Sequence, residues 1–241
     1  MVQTHRSDVE LLLLRGFELR WRNEPIAVPV SSRRLLAFLA LQDRPLHRAH
    51  VAGRLWPDTP ELKAAANLRT VLWRLRRPGL DLITCGATHL ALHGWVWVDV
   101  RALERLAHRL LRDPLGVDLA AIDPRAWAGE LLPDLWDSWL VFERERLRQL
   151  SLHTLEALCR RCIDAGHIAQ AVSAGMAAVQ TEPLRESANR LLIQAHLAEG
   201  NLSEAVRHYM RYRDLLRREL RLEPSTFLSA LIEASTPLTA P

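Results

Sequence analysis

Residues 60–77 read Pro-Glu-Leu-Lys-Ala-Ala-Ala-Asn-Leu-Arg-Thr-Val-Leu-Trp-Arg-Leu-Arg-Arg, and Pro-Gly follows directly. Proline in a first turn and glycine just past a last turn predict a helix with these bounds. Apolar residues at spacings of three and four predict one packed side, formed by Ala65, Leu68, Leu72 and Leu75. A different side is cationic and polar, and carries Lys63, Asn67, Thr70, Arg74 and Arg77, with Arg69, Trp73 and Arg76 beside it.

The segments on either side of this helix predict a small α and β domain. Short apolar or alternating runs predict three strands of one sheet, at 10–14, 16–21 and 25–30. Helices are predicted over 31–41 and 47–56, before the helix at 60–77. A hairpin of 80–84 and 89–93, then a strand at 95–98, complete the order of a winged helix-turn-helix.

Several polar side chains are candidates for contact with DNA. The major groove admits one helix, and Arg, Lys, Asn and Thr supply donors and acceptors for base edges and phosphates. Trp73 either stacks on a sugar or methyl group or packs inside. The other candidates are Arg33, Arg34 and Arg48 near helix starts and Thr84 and His89 in the hairpin. The alternative for these five residues is that they are polar surface side chains exposed to solvent.

The second half is predicted to be helical from Asp99 onward, with a domain boundary after Val98. Residues 165–172 align with residues 199–206 at an offset of 34, which is the period of tetratricopeptide helix pairs. We therefore expect a mainly α protein with a small β component: a winged helix-turn-helix at 1–98, then tetratricopeptide-like helical repeats at 99–241. Trp127, Trp136 and Trp139 are expected in the core of the helical part.

The two halves also resemble known families. Residues 31–98 resemble the OmpR-type winged helix through Leu35-Leu-Ala-Phe-Leu-Ala40, Val51-Ala-Gly-Arg-Leu-Trp-Pro-Asp58 and Asn67-Leu-Arg-Thr-Val-Leu-Trp-Arg-Leu-Arg-Arg77. Residues 99–232 resemble the bacterial transcriptional activator domain through Gly129-Glu-Leu-Leu-Pro133, Trp139, Glu143-Arg144, Glu182-Pro-Leu-Arg-Glu186 and Glu219-Leu-Arg-Leu-Glu-Pro-Ser225. The pair is similar to the Streptomyces antibiotic regulatory protein (SARP) family of transcriptional activators.

This resemblance implies a function and its partners. It identifies Lys63–Arg77 as the recognition helix and residues 80–92 as the wing of a sequence-specific DNA-binding regulator. It implies double-stranded DNA with repeated operator sequences and RNA polymerase holoenzyme as partners, and a homodimer on DNA is also expected. The alternative is a protein-interaction scaffold of tetratricopeptide type whose winged helix no longer binds DNA.

Charge and composition agree with these expectations. Residues 1–98 hold 14 Lys and Arg against 8 Asp and Glu, a net +6, while the remainder holds 18 against 20, a net −2. The longest apolar run, Leu35–Leu41, is far shorter than the roughly 20 residues that span a bilayer, and three cysteines give little support for a disulfide framework. We expect a cytoplasmic protein without membrane contact.

Catalytic and cofactor sites are not expected. Lys63 is the only lysine and follows Leu62, which excludes a Gly-Lys phosphate loop. Cys159 and Cys162 have the spacing of half a zinc site, but no second ligand pair follows, and both are expected in a helix core. The sequence thus predicts neither an enzyme, nor a metal site, nor a cofactor.

Overall fold

The computed structural model describes residues 8–76, 79–112 and 116–235. These residues pack as two units. The first contains the described residues up to Glu104 together with Glu130–Arg146, and the second contains Arg105–Gly129 and the described residues from Leu147 onward. Each unit is formed by two separate stretches of the sequence, so the units do not correspond to two consecutive domains. The domain boundary after Val98 therefore stays a prediction.

The first unit contains two sheets. The four-stranded sheet has the order β3-β2-β1-β7 and consists of β1 Val9–Leu12, β2 Glu18–Trp21, β3 Glu24–Pro25 and β7 Trp97–Val98. The three-stranded sheet has the order β4-β6-β5 and consists of β4 Leu46–His47, β5 Ile83–Cys85 and β6 His89–Leu92. Antiparallel pairing of β5 with β6 forms the expected hairpin. The expected strand over 25–30 is reduced to β3, since helix α1 begins at Val30.

Three helices form the core of the first unit: α1 Val30–Ala40, α2 Arg48–Leu55 and α3 Glu61–Leu75. Leu35, Leu36 and Leu39 of α1 are buried, as are Leu68 and Val71 of α3. The predicted packed side of α3 is confirmed at Leu68 and Leu72, which are buried. The structure adds Ala64 and Val71 to this side, and the other two predicted residues, Ala65 and Leu75, are half-buried.

The start of α4, Asp99–Arg112, joins the sheet to the helices. The Asp99 carboxylate accepts hydrogen bonds from the backbone N–H of Leu13 and Leu14 at 3.0 Å and of Val100 at 2.7 Å. Burial raises the pKa of this carboxyl, and the amide hydrogen bonds act in the opposite direction. Two residues on, the Arg101 guanidinium donates to the carbonyls of Ala40, Leu39 and Gln42 at the end of α1. The last carbonyls of a helix lack an intrahelical donor, and the guanidinium supplies a donor here, although the Leu39 carbonyl also accepts from the Gln42 N–H at 3.3 Å.

Glu130–Arg146 returns to the first unit from far along the chain. Leu14 and Leu131 form an antiparallel bridge, and the Arg15 N–H donates to the Glu130 carbonyl at 2.7 Å. Phe38 packs edge-on against Trp139 with ring centroids 5.0 Å apart. Trp127 is buried in the second unit, as expected. Trp139 is buried as well, but in the first unit and not in the helical part, and Trp136 is 87% exposed, so both were placed wrongly.

The second unit is helical. It contains the end of α5, Ser138–Asp164, and then α6 Ile168–Thr181, α7 Glu186–Ala198, α8 Leu202–Leu220 and α9 Thr226–Ser235. Two short 3-10 helices, Leu119–Ala121 and Pro124–Ala128, lie between α4 and α5. The fold class is therefore the expected one, a winged helix-turn-helix with a tetratricopeptide-like helical part.

The repeat predicted at an offset of 34 residues is confirmed in the turns. Gly166 and Gly200 have φ of +77° and +79°, a conformation that glycine adopts without steric cost. Their N–H groups donate to the carbonyls of Ile163 and Leu197, which are the equivalent residues of the two copies. Cys159 and Cys162 are fully buried in α5, where burial raises the pKa of the Cys159 thiol to about 12. They occupy the core as predicted.

His208, a half-buried histidine of α8, faces Asn189 of α7. Its Nε2 is 2.9 Å from Asn189 Oδ1, and Asn189 is itself buried and donates to the carbonyls of Pro183 and Arg185. Burial lowers the pKa of His208 to about 4, and the charges of His196 and Arg211 act in the same direction. The folded state therefore favours the neutral imidazole.

The Arg34 guanidinium forms an ion pair with the Asp137 carboxylate, and we expect this pair to stabilise the first unit. Asp137→Ala leaves the half-buried guanidinium without its carboxylate, and the free energy of unfolding should fall by about 2 to 3 kcal/mol. Urea denaturation measures this change. Asp43→Ala, at an exposed loop position, is the matched control and should leave the midpoint unchanged. Equal midpoints for the two variants would contradict a stabilising role for the pair.

Protonation of His208 should destabilise the fold in acid. Because its folded pKa lies below the ordinary value, this residue contributes stability above about pH 6.5 that is lost as the pH falls toward about 4. The free energy of unfolding of the wild type should therefore fall further between pH 7 and pH 4 than that of His208→Gln, as measured by urea denaturation at each pH. His167→Gln, at an exposed position, should behave as the wild type does.

Candidate nucleic-acid interface

Helix α3 is packed on one side and open on the other. Leu68 and Val71 are 2% and 3% exposed, and the helix packs against α1 and α2. The opposite side exposes Lys63, Arg69, Thr70, Trp73 and Arg74, and Asn67 is half-buried at its edge. The candidates on this helix that the structure describes therefore share one surface. Arg77 lies outside the described residues.

Trp73 is exposed, which excludes the interpretation that it packs inside. Its side chain is 72% exposed, and Leu62, in the first turn of α3, is 88% exposed. At 100° per residue, Leu62, Ala66, Arg69 and Trp73 lie directly opposite the packed side, and Lys63, Thr70 and Arg74 lie along one flank of that line. Leu62 was not among the candidates predicted from the sequence. Its angular position on the helix, opposite Leu68 and Val71, would have predicted that it is exposed.

Thr70 has a local partner. Its Oγ1 donates to the carbonyl of Ala66 at 3.1 Å, one turn earlier in α3. The hydroxyl oxygen can still accept a hydrogen bond, because the bond to Ala66 uses only its proton.

The wing lies against the start of α2. The Arg48 N–H donates to the Thr88 carbonyl at 2.8 Å, and its guanidinium Nη1 donates to the Gly86 carbonyl at 3.3 Å. In the pairing of β4 with β6, His47 is opposite His89, and the two rings meet edge to face at 5.5 Å. The structure thus places half-buried Arg48 and exposed His89 at the same end of the hairpin, while Thr84 is exposed on β5 opposite Ala91.

Arg33 and Arg34 are both engaged within the first unit. The Arg34 guanidinium binds the Asp137 carboxylate and donates to the Leu55 carbonyl at 2.6 Å. It links three segments of the fold, so we withdraw it from the candidate DNA contacts. Arg33 Nε donates to the Val28 carbonyl at 2.8 Å, and its guanidinium lies over the Phe17 ring, although the residue as a whole is exposed.

A groove of about 560 Å³ adjoins the end of α3. Leu72, Leu75, Leu80, Leu82 and Ile83 form its apolar walls, with Arg76, Asp81 and Cys85 among its polar lining. Among the described residues, no group of three or more His, Cys, Asp or Glu could hold a metal ion. Nor does any helix within those residues have the length and apolar character that a membrane span needs.

A three-helix core, a hairpin wing and a third helix with an exposed cationic side define a winged-helix protein. The profile of the bacterial transcriptional activator domain matches residues 98–234, and the chain belongs to this family. The combination of this domain with the winged helix is that of a SARP-type transcriptional regulator, as the sequence predicted.

The similar proteins are larger regulators. The chain is 30% identical over 225 residues to regulatory protein AfsR of Streptomyces coelicolor, covering 88% of this chain and 22% of that protein. It is 29% identical over 241 residues to AfsR of Streptomyces griseus, covering 90% of this chain and 23% of that protein. It thus spans less than a quarter of these relatives.

A solved structure shares the fold. The structure of Mycobacterium tuberculosis EmbR in complex with a low affinity phosphopeptide matches with a TM-score of 0.68 at 20% identity, over 95% of this chain and 65% of that one. At this identity the likeness concerns the fold alone.

The two sides of α3 should respond differently to truncation. Leu68→Ala should lower the free energy of unfolding by about 2 to 5 kcal/mol, because it empties a packed site. Trp73→Ala and Arg74→Ala should each change it by less than about 0.5 kcal/mol, because both side chains are exposed. Urea denaturation measures all three, and a large loss in either exposed variant would show that this side of α3 is packed.

Proposed function

We propose that the chain is a sequence-specific DNA-binding regulator that activates transcription in the cytoplasm. One observation carries the proposal: α3 exposes Lys63, Arg69 and Arg74 on the side opposite its packed face. Cations that cluster on one side of a helix favour binding of a polyanion, because like charges placed close together are stabilised by a partner of opposite charge.

The dimensions of α3 suit the major groove. Its 15 residues extend over about 22 Å, and the groove, about 12 Å wide, admits one helix. Asn67, Thr70 and Arg74 would then meet base edges, where guanidinium and amide groups pair with the donors and acceptors of purines. Lys63 and Arg69 would bind phosphates, which gives affinity without sequence preference.

The wing would bind beside the helix. Arg48 and His89 are held at one site by the β4 and β6 pairing and by the hydrogen bonds to Gly86 and Thr88. A cation at the start of α2 and an imidazole on the adjoining hairpin suit a phosphate or the minor groove. Thr84 on β5 and Arg33 at the start of α1 belong to the outer part of the proposed interface.

Protein partners follow from the family. A SARP-type regulator is expected to bind repeated operator sequences as a homodimer and to contact RNA polymerase holoenzyme, and we extend both properties to this chain. Stacked helix pairs such as α6 with α7 and α7 with α8 present extended surfaces, which suit a protein partner.

We expect Arg74→Ala to weaken binding and relax sequence preference. Loss of one base-contacting guanidinium costs about 1 to 3 kcal/mol and should relax preference at one position. Selection from random duplex DNA with sequencing, followed by titration at two salt concentrations, measures both. The wild type should lose about 10³-fold in affinity between 50 and 200 mM salt if it makes about six phosphate contacts.

The matched control is Arg211→Ala, which removes an exposed arginine from α8 in the second unit. It should retain the wild-type affinity and preference. No retention of DNA by the wild type at low salt would contradict the proposal and favour the protein-interaction scaffold. Salt-sensitive retention without sequence enrichment would reduce the proposal to non-specific binding.

A further inference from the structure

The line of residues on α3 that lies farthest from the core includes large apolar side chains, unlike the cationic flank beside it. Leu62 and Trp73, at its two ends, are 88% and 72% exposed. Ala66 lies between them on the same line. Two large apolar side chains exposed on the same line of one helix are candidates for contact with a partner.

The charges around this line indicate a polyanionic partner. Lys63 and Arg74 lie on one flank, Arg69 lies on the line itself, and Arg76 follows at its end. Glu61 in the first turn is the only acidic residue of α3. A protein partner for an apolar helix face does not call for cations along the edge, whereas DNA presents phosphates on both sides of a groove.

Only one base carries an apolar group in the major groove. Guanine, adenine and cytosine present donors and acceptors there, and thymine adds a C5 methyl group. We propose that Leu62 and Trp73 determine specificity by contacting thymine methyl groups of the operator, an inference that rests on the proposed DNA binding. The two residues are separated by about 16 Å along α3, so each reads a different thymine.

The test removes single methyl groups. Once the operator has been selected, each thymine is replaced in turn by deoxyuridine, which differs only in lacking the C5 methyl, and affinity is measured by fluorescence anisotropy at fixed salt with the full chain. Burial of one methyl group corresponds to about a fourfold change in affinity. We expect such a loss at one thymine that depends on Leu62 and at another that depends on Trp73.

Variants assign each methyl group to a side chain. With Leu62→Ala, thymine and uracil at the first position should bind equally well while the second position keeps its effect, and Trp73→Ala should give the reverse. Both residues are exposed, and circular dichroism confirms that the variants are folded. Met176→Ala, at an exposed apolar position on α6, is the control. With this variant, replacement of either thymine by deoxyuridine should weaken binding as it does with the wild type.

The outcomes separate the two proposals. Sequence-specific binding that uracil leaves unchanged, or an operator without thymine under α3, would overturn the methyl contact and leave DNA binding intact. Uracil effects of equal size in the wild type and in both variants would also overturn it. Absence of any DNA binding would overturn both, and the apolar line would then belong to a protein interface.

Discussion

Burial of one side of α3 is the constraint on which the first unit depends. Leu68, Val71 and Leu72 leave no freedom in the rotation of this helix, because α1 and α2 pack against them. The rotation fixes the opposite side as well, since side chains 180° away must face solvent. A surface that reads a groove has to be rigid within a fraction of an ångström, and a helix fixed by its core meets this requirement better than a loop does.

Local patterns of sequence predicted much of this structure. The helix α3, the hairpin and the 34-residue repeat each depend on residues close in the chain, and the structure has all three. The return of Glu130–Arg146 to the first unit could not be predicted, because its contacts join residues about a hundred positions apart, such as Arg34 and Asp137. Trp136 and Trp139 also show that local sequence does not determine burial. They are three positions apart, yet Trp139 packs against the Phe38 ring and Trp136 is exposed.

The arginines show why residue type alone does not define the candidate interface. Arg34 and Arg74 both lie on helices of the winged part, yet Arg34 satisfies a carboxylate and a carbonyl inside the unit while Arg74 is exposed. Arg101 and Arg144 likewise donate to backbone carbonyls, Arg144 to those of Leu131, Leu132 and Leu135. Planar guanidinium groups with several donors suit both tasks, so only the fold distinguishes an arginine that holds the structure together from one that is available to a partner.

The arrangement of charge and apolar surface on α3 separates two physical tasks of the proposed DNA recognition. Phosphate contacts contribute affinity that falls with salt and depends little on sequence, and cations at the edge of the exposed side are placed for them. Discrimination between bases requires groups that reach the centre of the groove, where each pair differs in its polar edge or its methyl group. Leu62 and Trp73 are on that central line, and Arg74 lies beside it. An apolar line with a cationic flank would therefore bind many duplexes weakly through phosphates and distinguish among them by contacts that salt affects little.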